Sequence, residues 1–256
     1  MMQNKHILIT GNSSGLGWGL TRHFLDAGNT VYGLSRSGAP ETHPQLFEQR
    51  CDLTDFAQIA PALDALLHHA PELDLVILNA GCLGKIRDMS DTPLDDLRAL
   101  MDINVWSNKV LMDWLVQSPI KVTQIIGISS GAAVLGNRGW GGYALSKSAL
   151  NMLCRLYAHE MPNTHISAIA PGLIDSQMIE YLSQHPEKDK FPALNRIAAA
   201  RQDGSLLTPE QAAERIVRAL PELTELESGC FIDLREILAP DEYAKLMAAR
   251  NQADKS

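Results

Sequence analysis

The stretch Ile7-Leu8-Ile9-Thr10-Gly11-Asn12-Ser13-Ser14-Gly15-Leu16-Gly17 decides the fold. Residues 7–10 read as a short buried strand, and residues 16–27 have helical spacing that Gly28 stops. Between them stand three glycines with separate jobs. Gly11 permits a tight turn, Gly15 lets backbone approach a pyrophosphate, and Gly17 lets the helix pack against the strand. A helix starting there presents unpaired N–H groups and positive partial charge to phosphates. The alternative reading is a merely flexible turn. The strand-turn-helix context favours a nucleotide site, with Ser13, Ser14 and Leu16 beside the phosphates.

Working outward, the same alternation continues. Strands are expected at 30–34, 46–52, 73–78, 120–129, 165–170 and 229–233. Helices are expected at 56–69, 94–116, 143–159, 209–220 and 241–249, with Thr208 as N-cap and Pro209 at the first helical position of the fourth. Apolar strands alternating with amphipathic helices predict an α/β chain. It should form one doubly wound Rossmann domain over 1–256, with a parallel sheet covered on both faces. The cofactor half would span about 1–130, the catalytic part and substrate lid about 130–235, and an extension about 235–256.

Composition excludes other classes. The chain has 256 residues, 45% apolar and 20% charged, which suits one sizeable core and not a disordered chain. Lys and Arg number 22 against 30 Asp and Glu, a net charge of −8. Nucleic acid and anionic membrane attract clustered positive charge, so neither is an expected partner. No apolar run is long enough to span a bilayer and no signal-peptide layout precedes the first strand, so a cytoplasmic location is expected. Cys51, Cys82, Cys154 and Cys230 are far apart without a C-x-x-C, and the eight histidines form no H-E-x-x-H. Reduced thiols and no metal site follow.

The second strand bears on the cofactor. It ends Leu34-Ser35-Arg36-Ser37, where an NAD site usually places an acid for the ribose 2′-OH. An acid would repel a 2′-phosphate, whereas a guanidinium between two hydroxyls would hold one. NADP(H) is therefore favoured over NAD(H), although Arg36 is alternatively a solvated loop residue. With Gly38, Pro40 and Pro44 ahead of the third strand, little room remains for a helix there. Asp52 or Thr54 would cap the helix starting near Asp55.

Further along, Tyr143-Ala144-Leu145-Ser146-Lys147 is a Y-x-x-x-K, which puts Tyr143 and Lys147 on one helix face. Ser130 precedes Tyr143 by thirteen residues, Asn79-Ala80-Gly81 follows the strand 73–78, and Pro171-Gly172 follows the strand 165–170. With the G-x-x-x-G-x-G of the first turn, this ordered set resembles the short-chain dehydrogenase/reductase family over roughly residues 5–235. Two positions depart from its pattern: Leu78 stands before Asn79, and Ser176 replaces a common Thr.

The resemblance implies a seven-stranded sheet in the order 3-2-1-4-5-6-7. It also implies a catalytic set of Asn104, Ser130, Tyr143 and Lys147. It adds Asp52, Leu53, Asn79, Ala80, Gly81, Pro171, Gly172, Ile174 and Ser176 to the cofactor contacts, alongside Tyr143 and Lys147. Residue chemistry agrees. A carbonyl receiving hydride needs a proton donor at its oxygen. Tyr143 suits this role if Lys147 lowers its pKa, and Ser130 would fix the oxygen. By resemblance, Asn104 holds a water that joins Lys147 to solvent.

Cys82, Arg138, Trp140, Met178 and Tyr181 are expected to wall the substrate pocket. Trp140 would either stack on a flat substrate or pack at a subunit interface. The expected activity is NADPH-dependent reduction of a small ketone or dicarbonyl to an alcohol. The ending Ser228-Gly229-Cys230-Phe231-Ile232-Asp233 loosely resembles sepiapterin and benzil reductases. A 3-oxoacyl-carrier-protein reductase is the alternative if Lys85, Arg87 and Arg138 form a basic patch. A non-catalytic NADP(H) sensor is the reading from another class. A homodimer or homotetramer is expected, the dimer through helices 94–116 and 143–159.

Overall fold

The structure, a computed structural model, describes residues 3–253. Seven parallel strands form one sheet in the order β3-β2-β1-β4-β5-β6-β7. They are β1 (His6–Thr10), β2 (Thr30–Ser35), β3 (Leu46–Arg50), β4 (Leu73–Leu78), β5 (Val122–Ile128), β6 (His165–Ala170) and β7 (Cys230–Asp233). Strand order reverses between β1 and β4, paired in register Ile7 to Leu75 and Ile9 to Ile77. Ligands of doubly wound sheets bind at that switch point, beyond the carboxyl ends of the strands.

Side chains alternate faces along each strand, so one sheet feeds two cores. On one face Leu8, Leu34, Val76 and Ile125 meet α2 (Phe56–Leu67), α4 (Ser107–Gln117) and α6 (Gly141–Glu160). On the other, Ile7, Ile9, Ile77 and Ile126 meet α1 (Gly15–Asp26), α9 (Pro209–Thr224) and α10 (Leu234–Leu238). Most of these are fully buried, and each such Leu or Ile contributes about 1.5–3 kcal/mol relative to exposure. Thr208 and Gln211 form a capping box at the start of α9, with Pro209 in its first turn.

A third apolar cluster sits over the carboxyl ends. It joins Leu83, Ile86, Ala132, Trp140 and Tyr143 to Ile179 and Leu182 of α7 (Gln177–Gln184), Phe191, and Leu194 and Ile197 of α8 (Ala193–Gln202). The remaining helices are α3 (Leu94–Met101), the short α5 (Ala132–Leu135) and α11 (Pro240–Ala253). Residues 254–256 of the expected extension lie outside the described residues.

Three expectations are corrected. The helix expected over 94–116 is α3 and α4 joined by a π-helical turn, Asp102–Trp106. A π turn carries one extra residue, which helical periodicity alone does not announce. The strand expected over 46–52 stops at Arg50. Neither Asp52 nor Thr54 caps α2. Asp52 instead accepts from the backbone and hydroxyl of Thr54 at 3.0 and 2.8 Å, and Asp55 is the N-cap. No helix lies between β2 and β3, as the Gly and Pro content implied.

Candidate active site

The glycine turn is held from below by β4. Thr10 Oγ1 accepts from the N–H of Asn79 and of Ala80 at 3.0 and 3.1 Å, and Asn79 Nδ2 donates to the carbonyls of Thr10 and Gly11 at 3.0 and 3.2 Å. Gly17 is the tight point. A Cβ there would stand 2.0 Å from the Gly11 carbonyl oxygen and 2.6 Å from Asn79 Nδ2. Beyond the turn, the N-cap Ser14 makes no side-chain capping bond, so the first N–H groups of α1 keep their capacity for an anion. Space beside Gly15 is open, and so is that beside Gly172 across the strand ends.

A slot next to this turn is lined by Gly11, Leu34, Ser35, Arg36, Cys51, Leu53, Ala80 and Ile103. Its apolar walls suit a flat ring, and Arg36 stands at its rim without an acid from the end of β2. Ser35 Oγ accepts from the Gly38 N–H at 3.2 Å and shapes the turn that carries Arg36 and Ser37. Glu48 steadies the same loop. Its Oε1 accepts from the Ala39 N–H and from buried Asn12 Nδ2, each at 2.7 Å. These residues fit a dinucleotide.

The catalytic candidates converge at the other end of that groove. Tyr143 and Lys147 lie one turn apart on α6, both buried, with Lys147 Nζ 5.7 Å from the Tyr143 ring centre. The Ser130 hydroxyl lies near enough to the Tyr143 phenol to draw its pKa down, and it accepts from the Ala132 N–H at 3.1 Å. Lys147 Nζ donates to the Ile128 carbonyl at 2.7 Å. Neighbouring Ser129 donates to Asn151 Oδ1 at 2.5 Å, which fixes the end of β5 on α6.

Asn104 sits in the π turn and is fully buried. Its Oδ1 accepts from the Cys82 N–H at 2.8 Å, and its Nδ2 donates to the Cys82 carbonyl and to Ser146 Oγ at 2.9 and 2.8 Å. Ser146 in turn donates to the Tyr143 carbonyl at 2.8 Å, and Asn108 Nδ2 donates to the Asn104 carbonyl at 2.9 Å. The amide thus ties the turn after β4 to the helix that carries Tyr143 and Lys147.

Electrostatics correct one expectation. Burial pushes the Tyr143 phenol up to about 12, against a smaller lowering by the nearby Ser130 hydroxyl. Burial also brings Lys147 down to about 8. Desolvation disfavours the charged form of both groups, so it outweighs the attraction expected between a tyrosinate and an ammonium.

The expected pocket walls are dispersed. Cys82 is exposed. Arg138 points to solvent and grips Asp88 through two bonds of 2.7 and 2.9 Å, and Lys190 reaches the same carboxylate at 3.3 Å. Met178 packs against the third cluster, while Tyr181 is largely exposed, edge-on to His185. Trp140 is buried within its own chain, so it is not available to a subunit interface. Ser176 caps α7, accepting from the Ile179 N–H at 3.4 Å, and Ile174 is buried and bridges to Leu207.

Sequence reasoning missed Glu48, Asn108, Ser146, Asp88 and Lys190. Ser146 had a signal, since it lies inside the Tyr143–Lys147 motif. Asn108 bonds the Asn104 carbonyl four residues back, while Glu48, Asp88 and Lys190 act through partners distant in sequence.

Fold and site together define a dinucleotide-dependent oxidoreductase. The family profile described as short chain dehydrogenase matches residues 5–187, and the chain belongs to that family. Members of the family use NAD(P)(H) and act on small molecules.

The chain is 26% identical over 242 residues to a benzil reductase ((S)-benzoin forming) of Bacillus subtilis, covering 90% of this chain and 98% of that one. It is 29% identical to a benzil reductase ((S)-benzoin forming) of Saccharomyces cerevisiae, covering 85% and 92%. It is 28% identical to a 3-oxoacyl-[acyl-carrier-protein] reductase of Thermotoga maritima, covering 84% and 90%. Among solved structures, a short chain dehydrogenase/reductase from Saccharomyces cerevisiae superposes with a TM-score of 0.78 at 23% identity, covering 90% and 96%. Levodione reductase superposes with 0.76 at 18%, covering 93% and 100%. Both support the fold. Among the described residues no helix is long and apolar enough to cross a membrane, and no group of His, Cys, Asp and Glu is placed to hold a metal.

Proposed function

We propose that this chain is an NADPH-dependent carbonyl reductase that converts a small ketone or 1,2-dicarbonyl compound to an alcohol. The buried pair of Tyr143 and Lys147, one turn apart on α6 with the Ser130 hydroxyl beside the phenol, is the observation that carries this reading. The bound cofactor supplies a hydride to the carbonyl carbon. The chain's own groups supply the rest. Ser130 orients the carbonyl oxygen, and Tyr143 gives its phenolic proton as negative charge develops there. With its phenol pushed up to about 12, Tyr143 stays protonated at neutral pH, as an acid must. Lys147 offsets the charge left on the phenolate and draws its proton from solvent. Asn104 and Ser146 position α6 against the turn after β4.

Arg36 and the absence of an acid at the end of β2 support NADPH, with Ser35 and Ser37 beside the phosphate and Glu48 steadying the loop. The two benzil reductases support the dicarbonyl class. The carrier-protein reading is less supported, because Arg138 is neutralised by Asp88 and Arg87 by Asp96. Exposed Trp106 and Val116 near α4, and Leu145, Met152 and Leu156 on α6, support a homodimer through those helices. Sedimentation at micromolar concentration that gives a monomer would remove that part of the proposal.

Consumption of NADPH and NADH over a panel of ketones, 1,2-diketones, quinones, pterins and acyl thioesters tests the activity. Turnover should be best with NADPH and 1,2-diketones. Tyr143→Phe should cost about 10²–10⁴ in kcat. Arg36→Ala should cut the preference for NADPH over NADH about tenfold or more. Turnover that survives Tyr143→Phe would sink the assigned acid. NADPH binding without turnover on any class would shift the reading to a sensor.

A further inference from the structure

One polar group beside the site has no work in this mechanism. Four buried side-chain polar atoms lack a hydrogen-bond partner among the described residues: Asn12 Oδ1, Trp140 Nε1, His165 Nδ1 and Ser167 Oγ. Only Trp140 belongs to the cluster that joins Tyr143 to the lid. A buried N–H without an acceptor costs free energy, and a ligand that supplies an acceptor recovers it.

The backbone of Trp140 is fixed relative to the catalytic residue. It is the N-cap of α6 and its carbonyl accepts from the Ala144 N–H at 2.7 Å. It stands three residues before Tyr143, and residues so spaced share a helix face. The two ring centres lie 6.5 Å apart. Trp140 is only 8% exposed, and its Nε1 is closed off from solvent. Phe191 belongs to the same cluster and is fully buried. It seats on Gly139, where the positive φ of 91° and the absence of a Cβ are both required, since a Cβ would fall 2.6 Å from the Phe191 ring. The lid segment around Phe191 therefore closes over the loop that presents the indole.

We propose that Trp140 is a specificity-determining residue whose indole N–H donates to a second oxygen of the substrate, on the carbon next to the one reduced. Tyr143 and Ser130 address the first carbonyl oxygen, and Trp140 addresses its neighbour, so the site selects 1,2-dicarbonyl compounds over simple ketones. The inference rests on the reductase reading above and names the substrate class of that same site. A site built to hydrogen-bond an oxygen discriminates against analogues that lack it, because its own donor is then left unpaired.

The test compares benzil with 1,2-diphenylethanone, which keeps both rings and lacks one oxygen. With NADPH, Trp140→Phe should lower kcat/KM for benzil about tenfold more than it lowers that for 1,2-diphenylethanone. Equal falls on both ketones, or no change on either, would overturn the inference while leaving the reductase reading intact. Failure of the wild-type enzyme on both ketones would defeat the reductase reading, and the inference with it.

A second measurement keeps the native indole. In the Tyr143→Phe protein with NADP⁺, benzil should move one of the four tryptophan indole N–H resonances downfield, and 1,2-diphenylethanone should not. The same response to both compounds would overturn the inference even if Trp140→Phe does not fold.

Discussion

The cofactor end and the lid end of the groove are built on different principles. At the cofactor end, backbone and short side chains interlock. Four hydrogen bonds tie Thr10 and Gly11, at the end of β1, to Asn79 and Ala80, at the end of β4, and Gly17 leaves no room for a methyl group. At the lid end, longer side chains meet across segments remote in sequence. Phe191, Trp140 and Leu182 pack together, and Arg138 and Lys190 share the Asp88 carboxylate near the surface. Backbone contacts do not yield to small motions, whereas a side-chain cluster can part and re-form. The first arrangement suits a ligand whose phosphates never vary. The second suits a ligand that has to enter and leave.

The largest expected effect attacks the rigid end. Gly17→Ala places a methyl group 2.0 Å from a backbone oxygen with no flexible neighbour to give way. The variant should lose about 3 kcal/mol of stability, the upper range for overpacking. It should also weaken dinucleotide binding at least about tenfold, because the helix start proposed to face the phosphates shifts. Chemical denaturation and cofactor titration read the two effects. A variant with unchanged stability would break the contrast between the ends.

The same contrast explains how much was legible in the sequence. Glycine spacing, the apolar strands, and the order of Ser130, Tyr143 and Lys147 are local signals, and they carried the family resemblance that implied the observed sheet order. Asn104 is a different case. Its residue type agreed with the family pattern, but the π turn that frees its carbonyl for Asn108 was invisible, because one extra residue per turn barely alters apolar spacing. Asp88 and Lys190 were beyond reach. Their pairing spans the chain from the turn after β4 to the lid, and each reads alone as an ordinary solvated charge. The raised pKa of Tyr143 was also out of reach, since burial depends on lid packing that no short motif encodes.

A second prediction tests whether the buried pair proposed to carry the chemistry, Tyr143 and Lys147, behaves as one rigid unit. The proposed reduction needs Tyr143 protonated and Lys147 charged. With Tyr143 near 12 and Lys147 near 8, the lysine sets the alkaline limit. The kcat/KM for reduction should fall above about pH 8, tenfold per pH unit. Lys147 should also affect folding. Its folded value lies below the usual 10.5, so the unfolded chain holds more protons between these values. Its destabilising contribution is fully present below about 8 and fades as pH rises toward 10.5. A pH–rate profile flat to pH 10 would show that cofactor or substrate binding restores the charge on Lys147.

The smallest expected effect belongs to the lid. Asp88 holds Arg138 and Lys190 across the mouth, and its carboxyl is drawn down to about 2, mainly by the Arg138 hydrogen bond. A carboxyl so lowered keeps its charge at every pH above the usual 3.8, and the contact weakens only as pH falls toward about 2. Around neutrality the latch should answer to salt and not to pH, because exposed charges are screened over about 8 Å at physiological ionic strength. Pairs of this kind contribute little to stability. Asp88→Asn should therefore change kcat/KM by less than about threefold and leave the denaturation midpoint nearly unmoved. Proteolysis within residues 185–205 should speed up, and added salt should do the same to the wild type but not to the variant. A tenfold change in kcat/KM would mean that the ion pairs, and not the Phe191 and Trp140 packing, govern closure, and the lid would then be an electrostatic device more than an apolar one.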